Sequence, residues 1–197
     1  TQLEVRHCAN VTGAGFTNPA FSLEKRPKLE RVVFGFCENL TEDALTSLVT
    51  TCAPTLTEID LEGCTQFARA ETLLTTIAAR CRNLEVLNMS RCGVTTLPDA
   101  MCGRLTALKE LNLEDSELIL IRPQSDIVER WLRELKSRGC EVSLPEWKVD
   151  RCYRGLTAFP MDVVELVTTQ PVDMLNLYGN QLTSLPEEIG LMTGLKE

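Results

Sequence analysis

Residues 84–92 read LEVLNMSRC, and the spacing inside that stretch decides the fold. Leu87 and Met89 alternate with Asn88 and Ser90, the period-two pattern of a strand buried on one face. Leu84 opens the stretch and Cys92 closes it at the ninth position. The same frame recurs in LERVVFGFC (29–37) and LTEIDLEGC (56–64). A truncated copy, LEVRHC, ends at Cys8; LKELNLEDS spans 108–116 and VDMLNLYGN spans 172–180. Successive leading leucines, Leu29, Leu56, Leu84 and Leu108, are 27, 28 and 24 residues apart. One such strand cannot bury its apolar side alone, so the copies must stack to make a core.

These in-frame copies resemble the leucine-rich repeat family over nearly the whole chain. The resemblance implies an α/β fold: a curved right-handed solenoid with a parallel sheet on its concave side and helices on its convex side. Two kinds of copy are visible. The earlier ones resemble the cysteine-containing subclass, in which each repeat carries a full helix. In LTEDALTSLVTTCAP, Thr41 can cap, Glu42 and Asp43 suit the helix start, and Ala44, Leu45, Leu48 and Val49 form an apolar face. AETLLTTIAARCRN repeats this with Leu73, Leu74, Ile77 and Ala78. The later copies, VTTLPDAM and LTSLPEEIGLMTGL, resemble the shorter plant, bacterial and Roco-type repeats. Their proline keeps the chain extended before a brief helical turn. The change falls at residues 93–98, where the curvature is expected to change.

Residues 1–122 are therefore read as a first block of repeats, 123–147 as an interruption and 148–197 as a second block continuing past Glu197. Within 117–123 an apolar run, ELILIRP, ends at Pro123. A helix follows from a Ser125 cap, with Ile127, Val128, Trp131, Leu132 and Leu135 as one buried stripe. Glu129 with Arg133 and Glu134 with Arg138 are i,i+4 pairs, and Gly139 is the stop signal. Either this is one overlong repeat, or one solenoid ends and a second begins. VDRCYRGLTAFP (149–160) favours the second view, because it resembles the opening of some leucine-rich arrays, including lamprey-type receptor caps. Arg151 stands there where an internal copy has a core leucine.

Bulk composition restricts function. Apolar residues make up 44% and charged residues 24%, a globular profile with material for a core. A net charge of -8 argues against non-specific contact with nucleic acid or anionic membrane, and weakly favours basic or mixed protein partners. Nine cysteines, an odd number with no CxxC pair, read as free thiols of a reducing, cytoplasmic setting. The start, TQLEVRHCAN, lies inside a strand pattern, so the chain is read as part of something larger.

No cofactor or metal is expected. GAG at 13–15 lacks the Lys-Ser/Thr of a phosphate loop, and a lone His7 cannot complete a zinc cluster. Cys8, Cys37, Cys64 and Cys92, at the ninth position, should form a buried ladder that satisfies turn backbone groups. Cys52, Cys81 and Cys102 read as packing. Cys140 and Cys152 lie off the frame and are the two to test for reactivity; a Cys–His enzyme would need His7 beside one of them.

The third, fifth, seventh and eighth positions should face solvent on the concave side. They are Arg31, Val33, Gly35 and Phe36; Glu58, Asp60, Glu62 and Gly63; and Val86, Asn88, Ser90 and Arg91. Glu110, Asn112, Glu114 and Asp115 follow, then Met174, Asn176, Tyr178 and Gly179. The candidate partner-binding residues are Phe36, Asp60, Glu62, Asn88, Arg91, Asn112, Glu114, Asp115, Asn176 and Tyr178. They make an acidic band interrupted by Arg91, with Phe36 and Tyr178 as anchors. The expected function is non-catalytic protein binding. The alternative is a regulatory or substrate-recognition arm of a larger protein, as the resemblance to Roco-type and F-box-type repeats implies.

Overall fold

The computed structural model describes residues 1–18, 28–65, 70–115, 125–145, 148–164 and 172–191. The chain divides into two compact units, Thr1–Pro145 and Glu146–Glu197. The first holds strands β1 (Gln2–Arg6), β2 (Arg31–Gly35), β3 (Glu58–Asp60), β4 (Val86–Asn88), β5 (Glu110–Asn112) and β6 (Glu141–Ser143). They form one parallel sheet whose strand order follows the sequence. Helices α1 (Glu42–Cys52), α2 (Glu71–Arg80) and α3 (Asp126–Ser137) connect some of the strands. The second unit contains β7 (Lys148–Asp150) paired in parallel with β8 (Met174–Asn176).

Register follows the repeat frame. Val32, Ile59, Leu87 and Leu111 are successive Cα partners at the fourth position, and all are buried. Phe34, Leu61, Met89 and Leu113, at the sixth, are buried beside them. Each such leucine contributes about 1.5–3 kcal/mol by leaving water. α1 and α2 cover this side with Leu45, Leu48, Val49, Leu73, Leu74 and Ile77.

The Thr41 hydroxyl accepts the Ala44 N–H at 3.3 Å and caps α1. α2 has no side-chain cap of its own, since Ala70 occupies that place in a left-handed conformation. Glu42 Oε1 accepts the Leu73 N–H at 3.0 Å instead, so one copy caps the helix of the next. After Cys92 the helix disappears. Pro98 is extended, and only a 3-10 turn, Asp99–Met101, precedes the next strand.

α3 matches its expected limits, with the Ser125 hydroxyl accepting the Val128 N–H at 3.2 Å. Its end is a Schellman turn: Cys140 N–H donates to Leu135 O, Gly139 N–H donates to Lys136 O, and Gly139 has φ +82°. Val128, Trp131 and Leu135 are buried, but Ile127 is 50% exposed and stands outside the expected stripe. Val128, Trp131 and Leu135, at i, i+3 and i+7, join the core, and Leu132 packs against it partly buried. No carboxylate pairing of Glu129 with Arg133 or Glu134 with Arg138 is present; Arg133 donates to the Glu129 carbonyl instead.

β6 extends the sheet beside β5 with Glu141 opposite Glu110, so α3 and β6 together occupy the place of a further copy. That register puts Cys140 at the second position of the frame, and the β7–β8 register puts Cys152 at the seventh. Neither cysteine is off the frame as the sequence reading had it, because the strands start where the apolar pattern alone gives no anchor. ELILIRP lies outside the described residues. Among the described residues, no helix is long and apolar enough to cross a membrane.

Candidate functional site

The turns leaving the strands share three recurring bonds, and they determine which side chains remain available. At the fifth position a short polar side chain accepts the N–H two residues ahead: Asp60 from Glu62, Asn88 from Ser90, Asn112 from Glu114 and Asn176 from Tyr178, at 3.0–3.1 Å. At the eighth position the backbone has positive φ, as in His7, Phe36, Gly63, Arg91, Asp115, Tyr153 and Gly179. Its N–H donates to the seventh-position carbonyl of the following copy, Phe36 to Glu62, Gly63 to Ser90, Arg91 to Glu114 and Tyr153 to Tyr178.

At the ninth position the side chain reaches back to the sixth-position carbonyl of the preceding copy. Cys64 Sγ donates to Phe34 O at 2.8 Å, Cys92 Sγ to Leu61 O at 2.9 Å, and Asn180 Nδ2 to Arg151 O at 2.7 Å. Burial pushes the Cys64 thiol up to about 11 and the Cys92 thiol up to about 12. These cysteines are architectural. Cys8 departs from the expected buried ladder: it is exposed and bonds its own turn at Arg6 O.

Much of the charge on the strand face opposite the helices is internally matched. Arg31 makes a fork to Glu58, Nε to Oε2 at 2.6 Å and Nη2 to Oε1 at 2.8 Å. Arg6 bonds Glu4 and also crosses β2 to reach Asp60 Oδ2 at 3.0 Å. Its guanidinium lies over Gly35, where an added Cβ would stand 2.7 Å from Nη1. Val33 is 1% exposed and Gly35 is buried, so this part of the face is closed, contrary to the expected exposure. Asp60 Oδ1 also accepts from Asn88 Nδ2 at 3.0 Å, which leaves its carboxylate fully engaged. Arg91 pairs with Asp115 at 3.0 Å.

Four carboxylates of this face have no ion pair among the described residues: Glu62, Glu110, Glu114 and Glu141. Glu114 and Glu141 are exposed, and Glu62 and Glu110 are half-buried. Glu141 was outside the sequence frame and becomes visible only through the β5–β6 register. Phe36 is half-buried: its ring stacks on His7 at 5.0 Å and covers Gly63. His7 is thus occupied by an aromatic contact.

In the second unit, Tyr178 is 69% exposed and meets Tyr153, 71% exposed, edge-on at 5.3 Å. Tyr153 covers Gly179 as Phe36 covers Gly63. Tyr153 is not among the candidates that the sequence offers, because 149–160 resembles the opening of an array. Aligning Arg151 on the sixth position would have placed Tyr153 at the eighth. Met174, 48% exposed, belongs to the adjacent strand β8. Among the described residues, no group of three or more His, Cys, Asp or Glu could hold a metal ion.

A family model described as Leucine Rich Repeat matches residues 83–105. The matched segment contains β4, the Cys92 turn and the short Pro98 connection, and it supports a leucine-rich repeat family for the chain. Such a motif suggests a protein-interaction module, and these repeats are typically non-catalytic. No curated protein matches the chain.

Proposed function

We propose that the chain is a non-catalytic protein-interaction module that binds a basic or mixed protein surface through the concave face of a leucine-rich solenoid. The observation that carries this reading is the contrast on one strand face. Arg6, Arg31 and Arg91 have carboxylate partners, whereas Glu62, Glu110, Glu114 and Glu141 have no ion pair among the described residues. These carboxylates, on paired strands (Glu110, Glu141) or in the turns just after them (Glu62, Glu114), are held at repeating positions, which steers a basic partner and sets its orientation. Asp60 and Asp115 serve the module through Arg6 and Arg91, so Glu62 and Glu114 are the better recognition residues. The exposed Tyr153–Tyr178 pair offers the second unit an aromatic anchor of the kind that concentrates binding energy.

The test is a basic peptide selected for binding to the wild-type chain. E62K/E114K should weaken it by about tenfold or more, steepest at low salt, while the unfolding midpoint stays unchanged. Unchanged affinity would overturn the proposal. A second reading, an arm of a larger Roco-type or F-box-type protein, draws on the coexistence of Cys-type copies and LP-type copies. It predicts the same face and a partner within the parent protein.

A further inference from the structure

Arg82 and Arg104 line one cleft of about 260 Å³ together with Ala78, Ala79, Gly103 and Thr106. Ala78 and Ala79 lie in the last turn of α2, and Arg82 follows its end. Gly103, Arg104 and Thr106 occupy the segment that leads into β5. The cleft therefore sits between consecutive copies, on residues that the proposed partner face does not use. Both arginines are exposed, and neither has an ion pair among the described residues. What sets this pair apart from the other arginines without an ion pair is that both line the same cleft.

We propose that this cleft binds a phosphate monoester through Arg82 and Arg104. Two guanidiniums bring a charge of two, which a phosphate monoester of about -1.5 to -2 matches and a single carboxylate does not. Each planar fork can give two parallel N–H bonds to phosphate oxygens. The Thr106 hydroxyl supplies a further donor at the rim. Gly103 leaves the floor open: a Cβ there would meet nothing within 4 Å. Ala78 and Ala79 provide an apolar wall for the carbon that carries the phosphate. The α2 C-terminus opposes an anion with roughly half a negative charge, which the two guanidiniums outweigh. The phosphate can belong to a small ester or to a phosphorylated side chain of a partner.

The test is amide NMR of the whole chain titrated with inorganic phosphate and with N-acetyl-phosphoserine amide, against chloride at matched ionic strength. Saturable shifts at Ala79, Gly103, Arg104 and Thr106 are expected with phosphate and not with chloride. R82Q/R104Q keeps the aliphatic stems and should weaken both ligands at least tenfold, with the rest of the spectrum superimposable. Tighter binding of the phosphoserine amide supports a phosphorylated partner side chain, and equal binding supports a free phosphate ester. No saturable shift, or equal binding by R82Q/R104Q, overturns the site. Either result leaves the Glu62–Glu114 reading untouched.

Discussion

The ring of Phe36 lies over Gly63, so closely that a Cβ on Gly63 would stand 2.5 Å from Phe36 Cδ1. Both residues have positive φ, and they are equivalent positions of consecutive copies. The Phe36 ring in this pose thus requires glycine at the eighth position of the next copy, whereas His7 stacks on the Phe36 ring itself. Gly63→Ala should cost roughly 1–3 kcal/mol in urea unfolding, from left-handed strain plus displacement of the ring. In a Phe36→Ala background only the backbone term remains, so the cost should drop to about 1 kcal/mol. Equal costs in both backgrounds would break the link.

Asp60 has two separable duties, the turn and Arg6. Asp60→Asn retains the turn acceptor that Asn88 and Asn112 provide in their own copies. It should lose less than about 1 kcal/mol, because the Arg6 pair is partly solvent-exposed and screened. Asp60→Ala also orphans the Glu62 N–H and should cost about 1–3 kcal/mol more. Similar midpoints for the two variants would show that the turn bond is unimportant.

Alkaline pH should unfold the chain before other groups require it. Burial raises Cys64 to about 11 and Cys81 and Cys92 to about 12, all above their unfolded values. The folded state therefore holds these protons more tightly. This stabilising contribution is complete below about pH 8.5, the ordinary thiol value, and is lost as pH rises toward 12. Urea midpoints should fall steadily between pH 8 and pH 10 by this linkage. At neutral pH, Cys8 should react with a thiol reagent well before Cys92, since one is exposed and the other buried.

Glu42 should matter to a helix it does not belong to. Its carboxylate accepts the Leu73 N–H of α2, so Glu42→Ala should cost about 0.5–2 kcal/mol, the range of a lost cap. The specific readout is hydrogen exchange at the Leu73 amide, which should speed up. A destabilisation that leaves that amide protected would assign the loss to α1 instead.

The strands and their buried sides were legible because Leu87 and Met89, Ile59 and Leu61 repeat one local alternation. Thr41, Ser125 and Gly139 were legible for the same reason: caps and stops are local chemistry. Long-range pairing was not. Nothing in the sequence near Arg6 announces that it will cross Gly35 to reach Asp60, 54 residues away, and remove that carboxylate from the available surface. Glu141 was hidden because its strand is defined by register with Glu110 and not by its own apolar pattern. Tyr153 was hidden because 149–160 resembles the opening of an array, which leaves it outside the repeat frame until the β7–β8 register is known.

The turn bonds have a consequence for how such a chain can change in length. Each copy lends an N–H forward at its eighth position and a thiol or amide backward at its ninth. A segment cut at the strand starts therefore carries half of two different junctions, one matched to each neighbour. Duplicating residues 56–83 would place Gly63 before another Gly63 with no ring to clear, whereas duplicating 29–55 would set Phe36 against a second Phe36, which must then stack ring on ring as His7 and Phe36 do. The residue at the eighth position of each copy thus sets which ring contact an inserted neighbour must make.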